Sequence, residues 1–224
     1  MIDNDYLIDA VESPPLGEVA YVLRIRGRDD AVVIDPGFDA RSILRTLADE
    51  KRTLAAILNT HGHFDHIAGN EALKAAFPEA PIIVGRNDAP LLVDPEANLS
   101  ASFLFPSRSP AADRLVDDGE CFEVAGFRFE TREIPGHSPG SVVFVVDQFD
   151  PTFVLGGDVL FAGSVGRTDF AGGNGYQLLK GIRAKLLTLP DAALVFPGHG
   201  PPTTIGAERR TNPFLSEGAW ASPG

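Results

Sequence analysis

The chain has 224 residues, is 44% hydrophobic, and carries 19 basic against 31 acidic residues, a formal net charge of −12. Its length allows a sizeable core in one α/β domain, and its acidity argues against nucleic acid or an anionic membrane as the main partner. The first residues lack the basic and apolar segments of an export signal, and apolar runs such as 142–146 are far shorter than the ~18–20 residues that span a bilayer, so we expect a cytoplasmic protein.

The first half of the chain alternates strand-like and helix-like segments. Apolar, β-branched runs predict strands, and apolar residues at helical spacing predict helices. Asp39 is placed to cap the first helix. Strands are predicted at 18–25, 31–37, 53–60 and 80–85, helices at 39–50 and 67–77, and a helix with a long proline-bearing loop within 86–118.

The second half repeats this order. Strands are predicted on both sides of a turn at 125–126 and at 141–147, 152–158 and 192–198, with helices at 173–189 and 204–210. Two sheets packed face to face with helices outside would bury every apolar face. No linker divides the halves, so we predict one domain over 1–224, with a peripheral tail from about 213 that includes Trp220.

Cys121 is the only cysteine, so the chain has neither an intramolecular disulfide nor a cysteine-based zinc site. Its strand-like context "GECFEVAGFRF" favours a small buried core residue, with a reactive thiol as the alternative.

A cluster of histidines follows the predicted strand 53–60, in "THGHFDH". In an extended backbone, residues two apart point the same way, so His61 and His63 converge. Asp65 and His66 lie where the chain turns into the next helix. Imidazole and carboxylate are ligands of Zn²⁺, Fe²⁺ and Mn²⁺, and the segment therefore predicts a metal site.

Three more residues extend this pattern. His137 in "IPGHSPGS", Asp158 in "FVLGGDVLF" and His199 in "VFPGHGPP" each follow an apolar strand, and all five histidines of the chain lie at strand ends. Ligands tend to bind at the carboxyl ends of strands in α/β proteins. Taken singly, each of these residues fits an ordinary loop or turn; taken together they predict one metal centre, with Asp158 as a bridging ligand.

The sequence resembles the metallo-β-lactamase-fold hydrolases, whose HxHxDH signature matches "THGHFDH" and whose further ligand motifs match "GHSPGS", "GGD" and "PGHG" in order. Within that superfamily it is most similar to the short, single-domain bacterial glyoxalase II group, the hydroxyacylglutathione hydrolases, through "VVIDPGFDA", "GSVGRTDF" and "LLTLPDAALVFPGHGPPTTIGAERRTNPFL". The resemblance implies a four-layer αββα sandwich that binds two divalent metal ions, zinc first, with Fe²⁺ or Mn²⁺ possible.

The resemblance also implies residue roles. Asp158 would bridge the two ions together with a hydroxide that attacks the substrate, and Asp65 and Asp158 would be the catalytic carboxylates. Asp35, in "VIDPG", would orient a ligand histidine or serve only as a turn residue. The first ion would be held by His61, His63 and His137, and the second by Asp65, His66 and His199.

The implied activity is hydrolysis of S-D-lactoylglutathione or a related small thioester, without nucleic acid or membrane partners and with the oligomeric state open. Arg167, in "VGRTDF", is the candidate for binding a substrate carboxylate, or else pairs with Asp169. Tyr176 flanks the same pocket or faces the core. Because "NPFL" is followed only by "SEGAWASPG", we expect a weaker hold on glutathione than in longer relatives.

Three alternatives remain open from the sequence. A persulfide dioxygenase of the same superfamily uses one Fe²⁺ at positions equivalent to His61, His137 and Asp158. A lactonase or β-lactamase could use the same two-metal site. A metal-bearing module without catalytic activity would be expected to have lost a ligand, and no ligand position is lost here.

Overall fold

The first half of the chain forms a six-stranded sheet in the order β1 to β6. The computed structural model describes residues 5–216, so the predicted position of Trp220 falls outside it. The first three strands are antiparallel to one another, whereas β3 to β6 run parallel. The strands are β1 (Tyr6–Ser13), β2 (Glu18–Ile25), β3 (Asp30–Ile34), β4 (Thr53–Asn59), β5 (Ile82–Gly85) and β6 (Arg114–Val116).

Helices in this half connect the parallel strands. They are α1 (Ala40–Asp49), α2 (Phe64–Ile67), α3 (Asn70–Ala76) and α4 (Ala89–Val93), with 3₁₀ turns at Arg86–Asp88 and Ala101–Phe103. As predicted, Asp39 caps α1, and its Oδ1 accepts a hydrogen bond from the Ser42 amide at 3.1 Å. In the described residues, no helix is long and apolar enough to cross a membrane.

The second half forms another six-stranded sheet, in the order β14-β13-β10-β9-β8-β7. Its neighbours are antiparallel except for β10 and β13, which are parallel. The strands are β7 (Cys121–Val124), β8 (Phe127–Glu133), β9 (Val142–Val146), β10 (Phe153–Gly157), the short hairpin β11 (Leu160–Phe161) and β12 (Ser164–Val165), then β13 (Leu194–Pro197) and β14 (Thr203–Thr204). The helices are α5 (Gly175–Gly181), continued by a π-helical turn over Ile182–Leu186, and α6 (Ile205–Thr211), followed by a 3₁₀ turn at Pro213–Leu215.

Three apolar layers hold these elements together, and they confirm the predicted αββα sandwich. The central layer lies between the sheets and is rich in phenylalanine, including Phe127, Phe129 and Phe144. One outer layer joins the first sheet to its helices through residues such as Ile43. The other joins the second sheet to α5, α6 and Leu215.

Several elements differ from the sequence prediction, among them the unpredicted strands β1, β6, β11, β12 and β14. Strand β1 was not predicted, because it is an edge strand whose middle residues are only partly buried and its apolar signal is weak. The helix predicted at 67–77 begins later, as α3 at Asn70, because the chain turns at Ala68 and Gly69; the separate short helix α2 before this turn was not predicted.

The prediction that Cys121 is buried is wrong, because its side chain is exposed. Strand β7 is an edge strand of the second sheet. Side chains alternate between the two faces of a strand, so Phe122 faces the central layer and Cys121 faces outward.

We expect Phe144→Ala to lower the free energy of unfolding by about 3–5 kcal/mol, the usual effect of removing a buried phenylalanine. Phe144 is fully buried and contacts the rings of Phe122 and Phe129. Denaturant unfolding followed by circular dichroism measures the change. Phe214→Ala, at a position 46% exposed, is the matched control and should change stability little. A loss below about 1 kcal/mol for Phe144→Ala would contradict a core centred on this ring.

Candidate metal centre

The predicted ligand residues all lie at one edge of the sandwich. The segment with His61 and His63 follows β4, His137 lies between β8 and β9, and Asp158 and His199 follow the parallel strands β10 and β13. Backbone hydrogen bonds join the two halves here, from the Val142 amide to the Thr60 carbonyl and from the Val19 amide to the Gly198 carbonyl, both at 2.8 Å. The structure therefore brings all seven predicted ligands together.

His61, His63 and His137 form the first cluster. All three are buried, and one ligand-type nitrogen from each lies within 4.8 Å of the others. His63 Nδ1 is 2.9 Å from His137 Nε2. The Nδ1 atom of His137 faces the Arg167 carbonyl at 2.9 Å, which fixes the ring so that Nε2 points into the cluster.

Asp65, His66 and His199 form the second cluster, again with ligand-type atoms within 4.8 Å of one another. Asp65 Oδ2 is 3.4 Å from His199 Nε2 and 3.8 Å from His66 Nε2. The four-residue helix α2 presents both Asp65 and His66, so the turn that follows His63 gives the second cluster two of its members.

Asp158 lies between the two clusters. Its Oδ1 is 3.5 Å from His66 Nε2, and its Oδ2 is 3.5 Å from His137 Nε2. Gly198 allows this approach, because a Cβ atom there would lie 2.5 Å from Asp158 Oδ1 and 2.6 Å from His66 Cε1. Asp158 Oδ2 is also 3.7 Å from His199 Nε2, so the carboxylate lies close to members of both clusters, as a bridging ligand would.

Asp35 supports His66 from behind. Its carboxylate accepts hydrogen bonds from the Thr60 amide at 2.7 Å and the Thr60 hydroxyl at 2.6 Å, and its Oδ2 is 3.2 Å from His66 Nδ1. Asp35, His61 and His66 also lie close enough to form a third ligand-type group. Since the Asp35 oxygens already accept these hydrogen bonds, the contacts fit its predicted role of orienting His66 better than direct metal binding.

Asp88 is a buried residue of the site that the sequence analysis missed. Its carboxylate accepts hydrogen bonds from the Gly62 amide at 2.9 Å, the Gly140 amide at 2.5 Å and the Ser138 hydroxyl at 2.6 Å. It therefore ties the loop of His61 and His63 to the loop of His137. Asp88 lies in a segment with no recognisable motif, so only the tertiary structure reveals this connection.

The electrostatics of the site suit a cation. Burial, reinforced by neighbouring imidazoles, holds the pKa of His61 well below its usual value and lowers that of His63 to about 3. Both rings are therefore neutral, as metal ligation requires. Burial opposes the charged form of His66, yet Asp158, Asp65 and Asp35 raise its pKa well above normal, which shows how negative the surroundings are.

Unpaired buried atoms point to the same conclusion. Within residues 5–216, His61 Nε2, His66 Nε2 and Asp158 Oδ1 are buried and have no hydrogen-bond partner. Buried polar atoms almost always have a partner. Divalent metal ions would satisfy all three, so the donor set fits the metals implied by the resemblance.

A cavity of about 290 Å³ opens over these clusters. Arg167 lines it, together with apolar residues such as Phe64, Phe103 and Phe170. The Arg167 side chain is 66% exposed, and its guanidinium forms a salt bridge with Asp169 at 2.9 Å and lies 4.5 Å from the centre of the Phe170 ring. Tyr176 is not among the described residues that line the cavity, and at 64% exposed it does not face the core either.

A cluster of three histidines and a cluster of two histidines and an aspartate, with Asp158 between them at the edge of an αββα sandwich, form a candidate site for metal ions. The chain belongs to the metallo-β-lactamase superfamily, whose family model matches residues 14–199. It is 40% identical over 190 residues to a probable metallo-hydrolase of Bacillus subtilis, YqgX, with 84% of this chain and 88% of that protein covered. It is 37% identical over 201 residues to the hydroxyacylglutathione hydrolase GloC of Haemophilus influenzae, with 84% and 88% covered.

Solved structures show the same fold. The BLEG-1 B3 metallo-β-lactamase superposes with a TM-score of 0.89 at 38% identity, covering 94% of this chain and all (100%) of that one. TTHA1623 in a di-iron-bound form superposes with a TM-score of 0.80 at 36% identity, covering 92% of this chain and 100% of that one. ETHE1 from Myxococcus xanthus superposes with a TM-score of 0.77 at 28% identity, covering 93% of this chain and 84% of that one.

We expect Asp88→Ala to weaken metal retention about 10–100-fold, the usual effect of removing a residue that supports metal ligands. The substitution leaves the Gly62 and Gly140 amides without their acceptor, so both ligand loops loosen. Chelator competition followed by elemental analysis measures the effect. Asp118→Ala, which removes a surface carboxylate paired with Lys185, is the control. Equal metal retention in the two variants would show that Asp88 does not position the ligands.

Proposed function

We propose that the protein is a binuclear metal-dependent thioesterase of the glyoxalase II type, acting on S-D-lactoylglutathione or a related small thioester. The observation that carries this proposal is the pair of three-residue clusters with Asp158 between them. The hydroxyacylglutathione hydrolase name of the Haemophilus influenzae relative supports the substrate class.

The seven proposed ligands would hold two metal ions. His61, His63 and His137 would hold one ion, Asp65, His66 and His199 the other, and Asp158 both. When bound, such ions supply a water of lowered pKa and a Lewis acid for the substrate carbonyl. Zinc is the leading candidate, and the di-iron-bound form of TTHA1623 makes iron the second candidate. A thiolate is a good leaving group, so a thioester needs no further histidine as general acid.

Arg167 is the proposed contact for a carboxylate of the thiol portion of the substrate. It lines the cavity over the metal centre, and its guanidinium is exposed to solvent. The Asp169 carboxylate forms two hydrogen bonds with it, at 3.0 and 2.9 Å. A substrate carboxylate can form the same paired contact, so Asp169 competes with the substrate for Arg167.

The alternative function is persulfide dioxygenation at a single iron, favoured by the likeness to ETHE1 from Myxococcus xanthus. It would use His61, His137 and Asp158 alone. The seven ligand-type residues do not distinguish the two functions, because the dioxygenases carry similar motifs. The segment "PGHGPPTTIGAERRTNPFL" and the 37% identity to GloC, against 28% to ETHE1, favour the hydrolase. We therefore favour the binuclear hydrolase.

We expect the purified protein to bind two transition-metal ions per chain. Asp158→Ala should weaken both sites together, whereas His199→Ala should chiefly empty the second, because Asp158 faces both clusters and His199 only contributes to one. Elemental analysis after metal titration measures the occupancy, and a loss of at least about 10–100-fold in affinity is expected for each ligand removed. A single iron that stays at one equivalent with metal in excess would favour the dioxygenase.

We also expect hydrolysis of S-D-lactoylglutathione, with Arg167→Ala raising KM more than it changes kcat and Asp169→Asn lowering KM. The first substitution removes a contact present in both ground and transition states, and the second releases the guanidinium from its internal partner. Steady-state kinetics decides both. Arg86→Ala is the matched control, because Arg86 is also exposed and bidentately paired, with Asp117. An identical KM in the Arg167 and Arg86 variants would remove Arg167 from the binding site.

A further inference from the structure

A second cavity, of about 400 Å³, lies beside the one over the metal centre. We call it the apolar groove, and it is lined by residues 14–16, Phe38, Phe64, Phe103 and Phe105. Leu16, Phe64 and Phe103 line both cavities. A continuous surface therefore runs from the metal-ligand residues into a groove walled by aromatic rings.

The rings of the groove contact one another. Phe64 packs against Phe103 with centroids 5.0 Å apart and against Phe38 at 5.9 Å, and Phe38 reaches Phe105 at 6.2 Å. Phe64 lies between His63 and Asp65 in sequence and opens α2. The wall of the groove is thus built directly onto the helix that presents part of the metal site.

The groove ends at an exposed apolar loop tip. Phe103 is 53% exposed, Leu104 92% and Phe105 59%. Leu104 has a left-handed backbone, with φ of 58°, which is unusual for a leucine. Consecutive exposed apolar residues are unfavourable in water and commonly mark a binding surface. The loop tip therefore indicates that an apolar ligand binds here.

The base of this loop is held firmly. The buried Asn98 accepts a hydrogen bond from the Phe64 amide through its carbonyl at 3.1 Å and donates one from Nδ2 to the Ser107 carbonyl at 3.0 Å. The buried Ser100 hydroxyl accepts a hydrogen bond from the Ser107 amide at 2.9 Å. These contacts close the loop below its tip, so the aromatic wall is built before any ligand arrives.

We propose that the apolar groove binds an apolar acyl group of the thioester substrate, while the thiol portion lies toward Arg167. This inference rests on the proposed thioesterase function and specifies its substrate class. Arg167 and Phe170 line the cavity over the metal centre but not the groove, and the described residues that line the groove include no charged side chain. In the reaction, water adds its oxygen to the acyl carbon and the C–S bond breaks, giving a carboxylate, a thiol and one proton.

The acyl group fits this groove better than a macromolecule does. The groove is concave and opens into the metal centre through three shared residues, so a chain attached to a carbonyl at that centre enters it directly. A second copy of the protein bound at the exposed loop tip would not require the groove to be continuous with the cavity over the metal centre. The groove therefore predicts a preference for acyl chains longer than lactoyl.

The test is a series of N-acetylcysteamine thioesters with acetyl, butyryl, hexanoyl and octanoyl groups, hydrolysed by the metal-loaded protein. We expect kcat/KM to rise about two- to fourfold per added methylene, the value for burial of apolar surface, until the groove is filled. Phe105→Ala should flatten this rise, because Phe105 lines the groove but not the metal-site cavity. Phe214→Ala is the matched control, since Phe214 is also exposed and lines neither cavity, and it should keep the wild-type slope.

Calorimetric binding of the S-alkyl-N-acetylcysteamine thioethers, which cannot be hydrolysed, separates the two proposals. Affinity that rises with alkyl length while no thioester is cleaved would count against the thioesterase and for the groove. Cleavage of all four esters at one rate, with flat thioether affinity, would overturn the groove assignment and leave the thioesterase standing. A flat series together with a dimer that Leu104→Glu dissociates in sedimentation velocity would also overturn it, in favour of a second copy.

Discussion

Burying Asp35, Asp65 and Asp158 around one imidazole is unfavourable unless positive charge is present, because each carboxylate loses its hydration. Their combined field raises the pKa of His66 despite its full burial. Divalent ions offset this negative charge, so metal binding and folding of the site are expected to be coupled. The unpaired atoms of His61, His66 and Asp158 are the local sign of the same requirement.

Asp35 and a further buried carboxylate, Asp88, also fix the geometry of the site. Asp35 holds Thr60 and His66, and Asp88 holds the loops that carry His61, His63 and His137. Each accepts its hydrogen bonds mainly from backbone amides or hydroxyls, which leaves the ligand atoms themselves directed at the centre. Because the clusters draw on both sheets, ions bound here would also cross-link the two halves of the sandwich.

The sequence was sufficient for the features that depend on local pattern. Periodicity predicted the strands around the site. Periodicity and the family resemblance together predicted the αββα layering and the proximity of His61, His63, Asp65 and His66 to the later motifs. Features that depend on tertiary contacts were not predicted. Strand β1 and the exposed Cys121 lie at sheet edges, where burial no longer follows apolar pattern. Asp88 and the apolar groove join segments distant in sequence, so no local signal marks them.

Proteins that share this fold carry names as different as B3 metallo-β-lactamase, hydroxyacylglutathione hydrolase and ETHE1. Substrate choice must therefore depend on what surrounds the metal ligands. In this chain the proposed ligands follow strand ends or lie on α2. The surroundings come from loops: residues 14–16 before β2, the loop tip at 103–105, and the segment 167–170. Loops vary without disturbing the core. In this protein the loops place the guanidinium of Arg167, paired with Asp169, at one part of the cavity and aromatic rings at another. This combination suits a substrate with one polar and one apolar end.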